Sequence, residues 1–157
     1  MIQIEIQNEQ TSCELDLDWL ETQILAVLNH LQIRSAELSV ILIDHPTMHE
    51  WNRRIMNHDY PTDVITIPLH EPSTSGVVQH VEGELFISVE MARDLAEELD
   101  WSLDYETLLY AIHGILHLTG LDDQTEADQL QMRKAERDVL KVLEIETRPR
   151  DDRWKLY

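Results

Sequence analysis

Cysteine is almost missing: Cys13 is the single one in a chain of 157 residues. That excludes an intrachain disulfide and any zinc cage built on cysteine thiolates. Long apolar runs are missing too. No stretch approaches ~20 continuous apolar residues, so no membrane-spanning helix is expected. The chain opens MIQIEIQNEQ, without a basic segment followed by an apolar one, and does not read as a signal peptide. These absences together predict a cytoplasmic protein. Internal repeats and low-complexity segments are also lacking.

Positive charge is scarce. Twelve Lys and Arg face 31 Asp and Glu, giving a net charge of −19. Such a chain has no general attraction for nucleic acid, which argues against a classical DNA or RNA binder unless the few cations are placed locally. The few cations are not spread evenly. Eight of the twelve fall between Arg133 and Lys155, and between Ile55 and Met132 only Arg93 is basic. The bland reading is a solvated helix face and a polar tail. The functional reading is a local anion-binding patch on an otherwise repelling surface.

What is present suits one domain with one core. Ile2, Ile4 and Ile6 alternate with polar residues, as in a half-buried strand. Asp18 and Glu21 form a capping signature for a helix striped by Leu20, Ile24, Val27, Leu28 and Leu31. A second strand is expected over Leu38 to Ile43. Thr47 and Glu50 repeat the capping signature ahead of Met48, Trp51 and Ile55. A third strand runs Val64 to Leu69, with Pro68 marking an edge position or an early end. A polar loop with Pro72 and Gly76 fills His70 to Glu82. A fourth strand is read over Leu85 to Val89. Helices follow at Met91–Leu99, Asp104–Thr119 and Thr125 to about Leu143, with Gly120 as the glycine ending the middle one. The expected fold is α+β: a small mixed sheet of about four strands packed with about five helices. Residues 1–146 read as a single metallohydrolase domain, and 147–157 as a charged C-terminal tail.

The stretch His113-Gly-Ile-Leu-His117-Leu-Thr-Gly120-Leu-Asp-Asp123 carries the chemistry. Histidines four apart on a helix share one face, where two imidazoles can grip one ion at ~2.0–2.1 Å. Leu109, Ile112 and Leu116 flank them, which puts the pair at the margin of a buried face. Two ordinary helix histidines satisfied by water or backbone are the bland alternative. Gly120 shifts the balance, because it permits a sharp turn that brings Asp122 and Asp123 back toward the helix end. The spacing of six from His117 favours Asp123 as third ligand. Three protein ligands leave one position open, the catalytic arrangement. Two histidines and a carboxylate suit zinc first, with iron or nickel as alternatives. The helix is zincin-like in frame, yet Gly114 stands where zinc peptidases of the His-Glu-x-x-His kind carry their general base.

The run Gly-Ile-Leu-His-Leu-Thr-Gly after His113 resembles the signature of the YbeY endoribonucleases, bacterial ribosomal-RNA maturation factors. Asn52 through Asp59, then Pro61, Thr62, Asp63, Val64 and Pro68, resemble that family's approach to the third strand. Gly83-Glu84-Leu85, followed by Ala92, resembles its fourth strand and the next helix. The resemblance runs in order from about Ile2 to Leu143. It implies a single-strand-specific, metal-dependent endoribonuclease acting in maturation of 16S ribosomal RNA and in ribosome biogenesis. Its implied partners are ribosomal RNA and the small ribosomal subunit, with neither DNA nor a membrane. The acidic surface adds a basic ribosomal protein. With the spacing, the resemblance points to His113, His117 and Asp123 as metal ligands; His113 and Arg54 are the candidate catalytic residues. This chain departs from the pattern where the family has a third histidine (Asp123 here), an arginine (Met56), a lysine (His58) and an aspartate (Glu84). Arg54, near Met56, is the candidate substitute cation. Two other readings compete: a metal-binding ribosome-assembly scaffold with weak or no catalysis, and a metallohydrolase of another substrate.

Overall fold

The computed structural model describes residues 1–56, 63–71, 80–149 and 151–154. The Met56 side chain and His58, where the family's arginine and lysine are expected, lie outside the described residues. So do Asp59, Pro61, Thr62, Pro72, Gly76 and Lys155.

Alternating Ile2, Ile4 and Ile6 form strand β1 (Ile2–Asn8). Helix α1 (Leu17–His30) starts at Asp16, whose carboxylate accepts the Trp19 N–H at 3.0 Å. The signature at Asp18 therefore pointed to the right helix but the wrong cap; Asp18 instead lies in the first turn, where its charge faces the positive end of the helix dipole. Strand β2 (Ser35–Ile43) is followed by α2 (His45–Trp51). Asp44 caps α2 through the Thr47 N–H at 2.9 Å, so Thr47 is not the cap. A π-helical turn over Asn52–Met56 widens the helix end and breaks the 3.6-residue phase, which leaves Ile55 exposed instead of continuing the stripe of Met48 and Trp51.

Strand β3 (Val64–Pro68) is short and lies at the sheet edge, where the missing N–H of Pro68 breaks no ladder. Strand β4 (His80–Ser88) begins well before Leu85, because polar His80 and Glu82 pair in register with Ser35 and Glu37 of β2. Helices α3 (Val89–Leu99), α4 (Leu103–Leu118) and α5 (Glu126–Val142) complete the chain, capped by Ser88, Ser102 and Thr125. The sheet order is β1-β2-β4-β3. The first two neighbouring pairs are parallel and β3 is antiparallel to β4.

The main core joins one sheet face to α1, α4 and α5, through Leu20, Ile24, Leu28, Leu85, Leu109, Ile112, Leu116 and Val139. A smaller cluster of Ile41, Ile43, Met48, Ile65 and Phe86 covers the other face. Helix α4 touches β3, β4, α1, α3 and α5, and is the buried axis of the molecule. Gly83 of β4 allows this closeness, since a Cβ there would meet the Leu118 side chain at 2.8 Å.

Within the charged stretch after residue 146, the described residues 151–154 pack against the domain. Asp151–Trp154 is docked, not solvated: Asp151 and Trp154 are buried, and Arg153 makes a two-pronged ion pair with buried Glu106 of α4 at 2.8 Å on each prong. A charged sequence read as polar surface is thus drawn inward by one complementary carboxylate.

Candidate metal centre

From Glu106 to Leu118 every residue of α4 is buried except His113 and His117. Over that stretch the helix meets solvent only through these two imidazoles, with side chains 17% and 25% exposed. Gly114 explains the missing peptidase glutamate. A Cβ there would meet Leu85 at 2.6 Å and the Thr66 hydroxyl at 3.1 Å, so the position holds no side chain at all.

Gly120 brings the candidate third ligand, Asp123, into place. It has φ +109, and the turn it makes is a Schellman motif: the Gly120 N–H donates to the His117 carbonyl at 3.0 Å and the Leu121 N–H to the Leu116 carbonyl at 3.2 Å. The reversed chain presents the Leu121 carbonyl to His117, whose Nδ1–H donates to it at 2.9 Å. Two residues on, Asp123 Oδ2 lies 3.2 Å from His113 Nε2 and 3.4 Å from His117 Nε2. Asp122 is used differently; its carboxylate accepts the Asp123 N–H at 2.8 Å. The sequence spacing had favoured Asp123 over Asp122, and the structure brings Asp123 to the histidines.

His113 is held from behind. Its Nδ1 bonds Glu136 Oε1 at 2.8 Å, and Glu136 Oε2 accepts from Arg133 Nη1 at 2.6 Å. Glu136 is wholly buried. Both Nδ1 atoms are thus donors, and both Nε2 atoms present lone pairs toward each other, 3.0 Å apart, and toward a carboxylate oxygen. Such an acceptor-only cluster is satisfied by a cation. A tetrahedral ion with bonds of about 2.0–2.1 Å sets its ligands about 3.3 Å apart, and the three separations fit. The residues present could therefore hold a metal ion. The same geometry acts on protonation. Burial disfavours a charged His113, but the hydrogen bond and charge of Glu136, joined by Asp63 and Asp123, outweigh it and hold the imidazole above the ordinary histidine range.

A cleft of about 520 Å³ opens beside the cluster. His113 and Asp123 line it, with Arg133, Met132 and the docked Asp152 and Arg153. Arg54 is not among its lining residues. It sits on the π-helical turn, 69% exposed, with Nε 2.8 Å from Glu50 Oε1, and Arg53 binds the other oxygen of Glu50 at 2.6 Å. The cations from Arg133 onward do not form one patch: Arg133 and Arg153 are tied to carboxylates at the cleft, while Arg137 and Lys141 line a separate hollow.

Sequence reading missed Glu136 and Glu106. Each had a signal. Glu136 interrupts the buried stripe of Met132, Val139 and Leu140 on α5, and Glu106 stands among the apolar residues of α4. A carboxylate on a buried stripe demands a partner.

Residues 4–144 match the family model described as Endoribonuclease YbeY. An Endoribonuclease YbeY of Salinibacter ruber is 34% identical over 143 residues, covering 89% of this chain and 91% of the relative. One of Desulfitobacterium hafniense is 35% identical over 148 residues, covering 80% and 94%. A solution structure of a Thermotoga maritima protein matches with TM-score 0.60 and 26% identity over 90% of this chain and 92% of that one.

Proposed function

The chain belongs to the YbeY family, and from that premise we propose that it is a metal-dependent endoribonuclease that cuts single-stranded RNA in the maturation of 16S ribosomal RNA. The observation that carries the reading is the convergence of His113, His117 and Asp123 where the otherwise buried 106–118 stretch of α4 meets solvent. In this reading the three side chains are ligands of a single ion, zinc before iron or nickel. When bound, such an ion supplies Lewis acidity, activating water near neutrality and offsetting charge on phosphoryl oxygens.

The chain's own residues do the rest. Glu136 and the Leu121 carbonyl fix the tautomer and the ring planes of the two histidines. The cleft beside them gives an RNA strand room to lie against the ligands. Leu85 and Thr66 fill the space around Gly114, which closes the route of a peptidase with a glutamate base. His113 and Arg54 are the proposed catalytic residues. Arg54 would act from outside the cleft after leaving Glu50.

The net charge of −19 repels free RNA, but over a Debye length of ~8 Å local cations outweigh a distant acidic face. The substrate is accordingly presented by the small ribosomal subunit, with a basic ribosomal protein meeting the acidic surface, in the cytoplasm. Among the described residues no helix is long and apolar enough to cross a membrane.

The test compares cleavage of a naked ribosomal-RNA fragment with cleavage of that RNA in assembled small subunits. Metal content is measured in parallel, with His113→Ala as blank. Metal-dependent cleavage, stronger in the subunit, is expected. Bound metal without cleavage of either substrate would favour the scaffold reading, which the pairing of Arg54 to Glu50 also supports.

A further inference from the structure

Arg133 stands in the metal cleft with part of its guanidinium already used and part not. Nη1 binds Glu136 Oε2 at 2.6 Å, on the carboxylate whose other oxygen holds His113. Its Cζ lies 5.9 Å from the ring centroid of Trp154, within the range of a cation–π contact. Neither Nε nor Nη2 has a hydrogen-bond partner among the described residues, and the side chain is 32% exposed in the cleft wall. The other cation of that wall, Arg153, is committed: Glu106 and Asp151 take its Nη and Nε donors, and only 17% of its side chain is exposed.

We propose that Arg133 is a substrate-binding residue whose unpaired edge holds a non-bridging phosphate oxygen of the RNA strand beside the metal ligands. This rests on the ribonuclease reading and deepens it. The chemistry is specific to arginine. A planar fork can keep one N–H on Glu136 while offering two more in the same plane to a phosphate. An ammonium group has no such fixed second edge. Glu136 and Trp154 hold the fork before substrate arrives, so little rotamer freedom is lost on binding.

Docking of the chain end acquires a purpose here. The Arg153–Glu106 pair fastens the Asp152–Trp154 turn to α4, and the Trp154 Nε1–H donates to Asp151 Oδ2 at 3.0 Å, which orients the indole beside Arg133. Trp154 is therefore a positioning residue for Arg133.

The experiment measures steady-state cleavage of a short single-stranded RNA by metal-loaded wild type, Arg133→Ala, Arg133→Lys and Trp154→Phe, across a salt series, with elemental analysis of each protein. Arg133→Ala should raise KM about tenfold, as for one lost charge-assisted phosphate contact, with kcat little changed. The slope of log kcat/KM against log salt should flatten by about 0.7. Metal content should be unchanged. Arg133→Lys, which keeps the charge beside Glu136 and guards against misfolding, should keep the salt slope but recover only part of KM. Trp154→Phe, which loses the Nε1–H that orients the ring on Asp151, should raise KM in the same direction by less than Arg133→Ala and keep the salt slope; an unaltered KM would overturn the positioning role of Trp154. Wild-type cleavage with an unaltered KM and salt slope in Arg133→Ala would overturn the assignment alone. Loss of metal from Arg133→Ala and Arg133→Lys alike would overturn it by making Arg133 a support for Glu136 only. A metal-loaded wild type that cleaves no RNA would overturn the ribonuclease reading and this assignment with it.

Discussion

His117 donates its Nδ1–H in a hydrogen bond to the backbone carbonyl of Leu121, 2.9 Å away, across a turn that only a positive φ at Gly120 allows. A Cβ at Gly120 would meet nothing within 4 Å, so a substitution there strains the backbone without a clash. Gly120→Val should cost on the order of 1–3 kcal/mol of stability and weaken metal binding as the turn relaxes away from His117. Chelator competition reads the second effect. Full metal affinity in a folded Gly120→Val protein would refute this account of the turn.

Asp123 is the proposed third ligand, at the position where the resemblance implies a histidine. Asp123→Ala should lose most metal affinity, and Asp123→His should retain a bound ion. Asp122→Ala should bind as the wild type does, because Asp122 only braces the Asp123 N–H. Equal losses in the alanine variants at 122 and 123 would contradict the geometry.

Glu136→Gln keeps the shape of the side chain and removes its charge. The carboxylate orients His113 and strengthens it as a donor to metal, so affinity should fall by about 10–100-fold. Stability should fall as well, since Arg133 loses its partner. Titration with a chromophoric chelator measures the first and urea unfolding the second. Wild-type affinity in Glu136→Gln would mean that packing alone sets the His113 ring.

The end of the chain should give an acid-sensitive contribution to stability. Burial pushes the Asp151 carboxyl up, but hydrogen bonds and charge from Arg153, joined by Trp154, outweigh it and hold it below the aspartate range. Asp151 therefore stabilises the fold fully above its ordinary pKa of 3.8, and that contribution is lost as pH falls through the lower folded value. Asp151→Asn should flatten this acid limb in urea melts between about pH 5 and pH 2. A variant whose melts follow the wild type throughout that window would sever the link.

Leu116 is 2% exposed beneath the histidines. Leu116→Ala should cost about 2–5 kcal/mol, the range for a buried leucine. Thermal unfolding of the metal-free protein isolates this packing loss from ligand effects.

Local chemistry was legible in the sequence. Residues four apart on a helix must share a face, a glycine after a helix invites a left-handed turn, and period-two apolar residues form a strand; the histidine pair of α4, Gly120 and β1 follow from those rules. The resemblance added the family, and the spacing added Asp123. The tertiary structure decided what depends on neighbours remote in the chain. Glu136 meets His113 across two helices, Gly114 is fixed by Leu85 and Thr66 of the sheet, and the charged chain end folds inward because Glu106 waits for Arg153. A buried charge takes its meaning from its partner, and partners 23 or 47 residues apart are set by packing, which no local pattern encodes.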